Sequence, residues 1–119
     1  MLNKKIAEYA AAALNKKPQF HISLACDIQS NCDCNGGRTV QLVPDIGMFA
    51  SFDPVSLDQA VADKIAAAPV MPGSNIADKC HEHDDKFTCS HPDTNWKVQL
   101  EHGEKIGLGE RKYEILEVK

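Results

Sequence analysis

Phe20-His21-Ile22-Ser23-Leu24-Ala25-Cys26-Asp27-Ile28 is the stretch on which the fold turns. Phe20, Ile22, Leu24, Cys26 and Ile28 alternate with smaller or more polar neighbours, and a period of two predicts a strand with one buried face. Upstream, Pro18 stops a helical pattern in which Leu2, Ile6, Tyr9, Ala10, Ala13 and Leu14 recur on one stripe. Downstream, the uninterrupted apolar run Ile46-Gly47-Met48-Phe49-Ala50 predicts a central strand over Ile46–Ser51. Asp53-Pro54 then predicts a helix start, with Asp as N-cap and Pro in the first helical position. Leu57, Val61, Ile65 and Ala68 form its packing stripe as far as Pro69.

Residues 69–93 are loop-like. Asp93 or Thr94 is expected to cap a last helix carrying Trp96, Leu100, Gly103 and Ile106, closed by Gly107 and Gly109, with Glu101 and Lys105 paired on its surface. Tyr113–Val118 completes the pattern as a final strand. The order predicts one α/β domain over residues 1–119, a small mixed sheet of three to four strands covered by about three helices. If the first two strands run parallel, the bend after Ile28 and the helix start at Asp53 leave the sheet at the same edge.

The chain has 119 residues, 43% hydrophobic and 25% charged, which suits one soluble domain with a modest core. A net charge of −4 gives no electrostatic reason to expect nucleic acid, and no basic stripe interleaved with aromatics appears. No segment has the apolar length of a membrane span. The opening Met1-Leu2-Asn3-Lys4-Lys5 mimics a leader, but Glu8 and Tyr9 interrupt its apolar part and no cleavage site follows. A cytoplasmic location is expected, and there an odd count of five cysteines suits free thiols or ligands better than a disulfide framework.

Three of those cysteines, Cys26, Cys32 and Cys34, fall within nine residues and run into Asn35-Gly36-Gly37. Thiolates are soft ligands for iron–sulfur clusters or zinc, and a glycine-rich bend lets a short segment gather them. A Cys-x-Cys pair makes a strained disulfide with itself. In an extended strand its sulfurs diverge, so ligation requires the bend; otherwise the pair is two ordinary surface thiols. Cys26 lies on the expected buried face, where cysteine also serves as a small hydrophobe.

Cys80, His81, His83, Cys89 and His91 are a second group of metal-capable residues. Their spacing matches no zinc finger, and a solvated polar loop accounts for them better than a metal site does. They are also where a site begun at Cys32 and Cys34 would find further ligands. Asp45, Asp53 and Asp58 bracket the second strand and the following helix, the edge at which open α/β sheets bind ligands; the simpler reading makes Asp53 a cap and Asp58 a first-turn acid. Walker, dinucleotide-fingerprint, H-E-x-x-H and nucleophile-elbow motifs are all absent from the sequence.

Several stretches resemble the C-terminal part of an uncharacterised iron–sulfur protein family, domain of unknown function 362. They are Asn31–Cys34, Val43–Gly47, Ala50–Ala60, His91–Glu101 and Glu104–Gly109. The resemblance implies that the chain corresponds to the C-terminal segment of a longer protein, here without the ferredoxin-like insert bearing C-x-x-C-x-x-C-x-x-x-C-P. It implies a redox or metal context and carries over Cys32, Cys34, Asp45, Asp53 and Asp58 without assigned roles, while Cys80 and Cys89 fall outside its pattern. The leading expectation is a metal-binding module of iron–sulfur type, with Cys32, Cys34, Cys26 and Cys80 as candidate ligands and zinc as the alternative metal. Its expected partners are a redox protein or an upstream domain, not nucleic acid or membrane. The competing readings are the C-terminal lobe of an enzyme using the acidic residues, or a structural or interaction domain with free thiols.

Overall fold

Asp53 starts a helix as its sequence predicts. In the computed structural model, which describes residues 1–37 and 39–118 without the side chain of Asp33, its Oδ1 accepts the amides of Val55 at 2.8 Å and Ser56 at 3.1 Å. The helix that follows is α2, Pro54–Ala67. Before it come α1, Leu2–Leu14, and two short strands, β1, His21–Ala25, and β2, Gly47–Ser51. After it come the five-residue α3, Lys86–Ser90, and α4, Lys97–Lys105. Asp85, whose side chain accepts the amides of Phe87 and Thr88, caps α3. α4 begins later than the sequence suggests, with Asn95 Oδ1 accepting the Lys97 amide at 3.1 Å.

Among the described residues the sheet has two strands, paired antiparallel. The expected third strand is corrected: Tyr113–Val118 runs as irregular chain. Its alternation of side chains is real, but a strand exists only where a neighbouring edge takes its backbone hydrogen bonds. β1 is also shorter than predicted. It stops at Ala25 because Asp27 turns into the left-handed region at φ 48, with its amide donating to Asp45 Oδ1 at 2.8 Å. The Ile46 amide closes the ladder on the Ala25 carbonyl at 2.8 Å.

The alternation in β1 is present with its faces reversed. Ile22 and Leu24 are 61% and 66% exposed, whereas Ala25 is 2% exposed. Phe20, Met48 and Phe52 are exposed as well, and so is Cys26, expected on a buried face. The stripe of α1 behaves alike: Leu2, Ile6 and Tyr9 are exposed and Ala7 is buried.

The chain divides into two compact units. In the first (Met1–Ser23, Phe49–Ala62, Asn95–Lys119), α1 packs on α4, in place of the expected covering of a sheet. Small residues let them approach: a β-carbon on Gly103 would lie 3.3 Å from Val55 Cγ2 and 4.0 Å from Ala7 Cβ. His102 of α4 meets Glu8 of α1 at 3.1 Å. Gly107, at φ 77, ends α4, with the Gly107 and Leu108 amides returning to the Glu104 and Gly103 carbonyls.

The second unit, Leu24–Met48 and Asp63–Thr94, is a set of turns around Val43 and Ile76, both fully buried. The Leu42 amide closes the first segment on the Ile28 carbonyl at 2.7 Å, and the Met71 amide joins the second segment to it at the Leu42 carbonyl, at 2.8 Å. Lys86, also fully buried, donates from Nζ to the carbonyls of Ala66 and Glu82, each at 2.7 Å. Ala66 lies in the last turn of α2, where carbonyls lack a helical partner and a cation is favoured.

Candidate metal centre

A one-turn 3-10 helix, Asp33–Asn35, places Cys32 and Cys34. The Asn35 amide donates to the Cys32 carbonyl at 2.9 Å, and Gly36 continues the bend at φ 64, a conformation in which a side chain would be strained. This curvature turns the two side chains together instead of to opposite faces. The thiols are hydrogen-bonded to each other, and both are exposed. That bond, followed by the like charge a second thiolate would carry, pushes Cys34 above the ordinary thiol range. A bound metal relieves such a pair, because it neutralises both thiolates.

The bend is anchored at its start. The Ser30 carbonyl accepts from Ser90 Oγ at 3.4 Å and from His91 Nε2, which therefore carries the ring proton. Ser30 itself is buried, and its Oγ has no hydrogen-bond partner among the described residues. The segment two residues before Cys32 is thus tied to the segment immediately after Cys89. Cys26 is exposed in the same unit.

The polar loop of the second unit holds a feature the sequence did not announce. Cys80 and Cys89 form a disulfide across nine residues, with their α-carbons 5.7 Å apart. Ligand atoms of Cys80, Asp84 and Cys89 all lie within 4.8 Å of one another. The expectation that all five cysteines are free thiols or ligands is corrected here. Asp84 Oδ2 accepts the His81 amide at 2.8 Å, and the Cys80 and Cys89 amides donate to Ile76 and Asp85, each at 2.9 Å.

The acidic residues have other work. Asp53 is a cap on one oxygen, and its Oδ2 accepts the Glu110 amide at 2.8 Å. A β-carbon at Gly109 would lie 2.6 Å from Asp53 Cγ, so the chain passes there only because residue 109 is glycine. Asp45 holds the Asp27 turn. Asp58 is raised above the usual carboxylate range by desolvation, an effect partly offset by the charge of His21. The expected common edge for the cysteine bend and Asp53 is also overturned. In an antiparallel pair the two strand ends that lead to them lie at opposite ends of the ladder.

Among the described residues no helix is long and apolar enough to cross a membrane. No curated protein and no solved structure matches the chain. One family model does, and it takes in the Cys26–Cys34 segment, Asp45, Asp53 and Asp58 but neither Cys80 nor Cys89. Matched over residues 1–63, more than half of its length, the chain belongs to the family described as Domain of unknown function (DUF362).

Proposed function

We propose that this chain is a metal-binding module of iron–sulfur type with a redox or electron-transfer role, in which Cys32 and Cys34 supply thiolates. The observation that carries the reading is the exposed, glycine-closed turn that holds the thiols of Cys32 and Cys34 one residue apart. The donor set fits a soft metal, and Cys26 stands in the same unit as a third thiol. Cys80 is a further candidate once its bond to Cys89 is reduced. The buried, unpartnered Ser30 hydroxyl, two residues from Cys32, is a donor of the kind that tunes cluster sulfurs. A cluster, when bound, would supply one-electron transfer. The protein's own part is to bring the sulfurs together, hold Ser30 through Ser90 and His91, and leave the bend open to a redox partner.

Anaerobic purification followed by visible absorption and iron, sulfide and zinc analysis tests this. A brown protein whose colour disappears in a Cys32→Ser/Cys34→Ser variant is expected. A colourless protein with stoichiometric zinc would keep the site and replace redox work with a structural role. A folded, metal-free protein would overturn the reading.

A specific observation favours the second reading, an interaction domain or the C-terminal lobe of a larger assembly. Ile22, Leu24, Phe20 and Phe52 are large apolar side chains left exposed, and each forgoes part of the about 1.5–3 kcal/mol that full burial returns. Such residues are common where a partner or upstream domain docks. Strong binding of an apolar dye by the isolated chain, abolished in Ile22→Ser/Leu24→Ser, is the expected result.

A further inference from the structure

We propose that Cys80, Asp84 and Cys89 form a second centre, separate from Cys32 and Cys34, that is closed as a disulfide when oxidised and binds a zinc-class divalent cation when reduced. It goes beyond the reading above, needs neither Cys32 nor Cys34, and assigns Cys80 to this centre instead of to that one.

The argument begins with spacing. Zinc–sulfur bonds of about 2.3 Å and zinc–oxygen bonds of about 2.0–2.2 Å in tetrahedral geometry put ligand atoms roughly 3.3–3.8 Å apart. The three candidate atoms already lie within 4.8 Å of one another, so cleaving the sulfur–sulfur bond leaves them within a small adjustment of a metal's requirement. The sequence separation alone would not achieve this. The loop is held by bonds that do not involve sulfur. The Cys80 amide is fixed on Ile76, the Cys89 amide on Asp85, and the Asp84 carboxylate on the His81 amide. Asp85 caps the helix that carries Cys89, and the buried Lys86 ammonium ties Glu82 to Ala66. A dithiol released in so braced a loop stays preorganised, which is what lets a small site bind metal tightly.

The donor set selects the metal. Two thiolates and one carboxylate suit zinc or ferrous iron and disfavour calcium and magnesium, which want oxygen alone. Three protein ligands leave a fourth position, for water or for an imidazole of the flanking His81 or His83. The chemistry balances with an external dithiol of the thioredoxin class. It gives two electrons and two protons to the Cys80–Cys89 bond and becomes a disulfide itself, and the two new thiols release their protons as the cation binds.

The test uses the whole chain carrying Cys26→Ser, Cys32→Ser and Cys34→Ser, so that Cys80 and Cys89 are its remaining cysteines. After anaerobic treatment with a phosphine reductant, cobalt(II) is titrated as a coloured stand-in for zinc, with circular dichroism as the check on folding. One equivalent of cobalt with tetrahedral d–d bands and thiolate charge-transfer absorption is expected, displaced by zinc. Oxidised protein, shown by alkylation to have two fewer free thiols, should give no such spectrum. Adding Asp84→Asn should weaken binding by more than the roughly tenfold loss that even an outer-shell partner can cost.

A folded, reduced protein that gives no tetrahedral cobalt spectrum would overturn the proposal, as would cobalt binding indifferent to the disulfide or to Asp84. Should the triple variant fail to fold, the wild-type chain with Cys80→Ser/Cys89→Ser serves instead, with loss of one equivalent of zinc expected and unchanged stoichiometry overturning it. Because colour from Cys32 and Cys34 is read on the wild-type chain, the two readings fail separately.

Discussion

The corner at Asp53 and the bend at Cys32 are both turns outside the sheet, yet they treat their reactive groups in opposite ways. At Asp53 the fold consumes the side chain: three backbone amides, from Val55, Ser56 and Glu110, converge on one carboxylate with about four acceptor sites. At Cys32 the fold gathers thiols and turns them toward each other and toward solvent. A polar group whose bonding capacity is met by the backbone is holding the chain together. One that meets another reactive group at the surface is available for chemistry. Lys86 shows that this division is not simply one unit against the other. It sits in the same unit as the cysteines and is committed to two carbonyls.

That distinction can be broken by substitution. Lys86→Met should have the largest effect, lowering stability by about 3 kcal/mol, because it removes two charge-assisted bonds that tie the end of α2 to the loop at Glu82; urea denaturation measures it. A loss below about 1 kcal/mol would mean that burying the ammonium costs nearly as much as its bonds return. Asp53→Ala comes next, at about 2 kcal/mol for a lost cap plus a lost tie to Glu110. It should leave metal stoichiometry unchanged, whereas Cys32→Ser/Cys34→Ser should change stoichiometry and hardly move the denaturation midpoint.

The acid limb of stability sharpens the same point. Glu104 is held below its ordinary range by hydrogen bonds from the Arg111 amide and guanidinium, and Glu8 by Lys5 and then His102. Depressed acids contribute stability that is present above about pH 4.5, their unperturbed value, and is lost as pH falls through the folded values. Glu104→Gln should flatten that limb in a pH series of thermal melts. Asp58→Asn should have the smallest effect, a gain of at most about 0.5 kcal/mol at neutral pH. The sign follows because desolvation raises its folded value, so the carboxylate weakens the fold as pH rises through it and the amide does not.

Much of this was legible in the sequence. Asp53-Pro54 marked α2 because a cap is a local device, and Pro18 marked the end of the segment bearing α1 for the same reason. Both strands lay where the sequence placed them, with β1 trimmed by the left-handed turn at Asp27. The direction of the faces was not legible. Periodicity in Phe20, Ile22 and Leu24 says that one side differs from the other, and only the surroundings decide which side is covered. Tyr113–Val118 failed for a related reason, since alternation is necessary for a strand but the partner edge lies elsewhere in the chain. The convergence of Cys32 and Cys34 was readable from Gly36 and Gly37. The pairing of Cys80 with Cys89 was not, because it depends on the turns that return the chain.

The bond from Glu110 to Asp53 spans 57 residues, and that separation has a consequence in time. A ribosome adding about 5–20 residues per second makes Asp53 several seconds before it makes Glu110. Through that interval the start of α2 holds its own two amides but lacks its third donor, and Gly109 has yet to slide past the carboxylate. The first unit therefore closes late in synthesis, and the segment carrying Cys26, Cys32 and Cys34 emerges and can meet metal or reductant before its neighbour is complete.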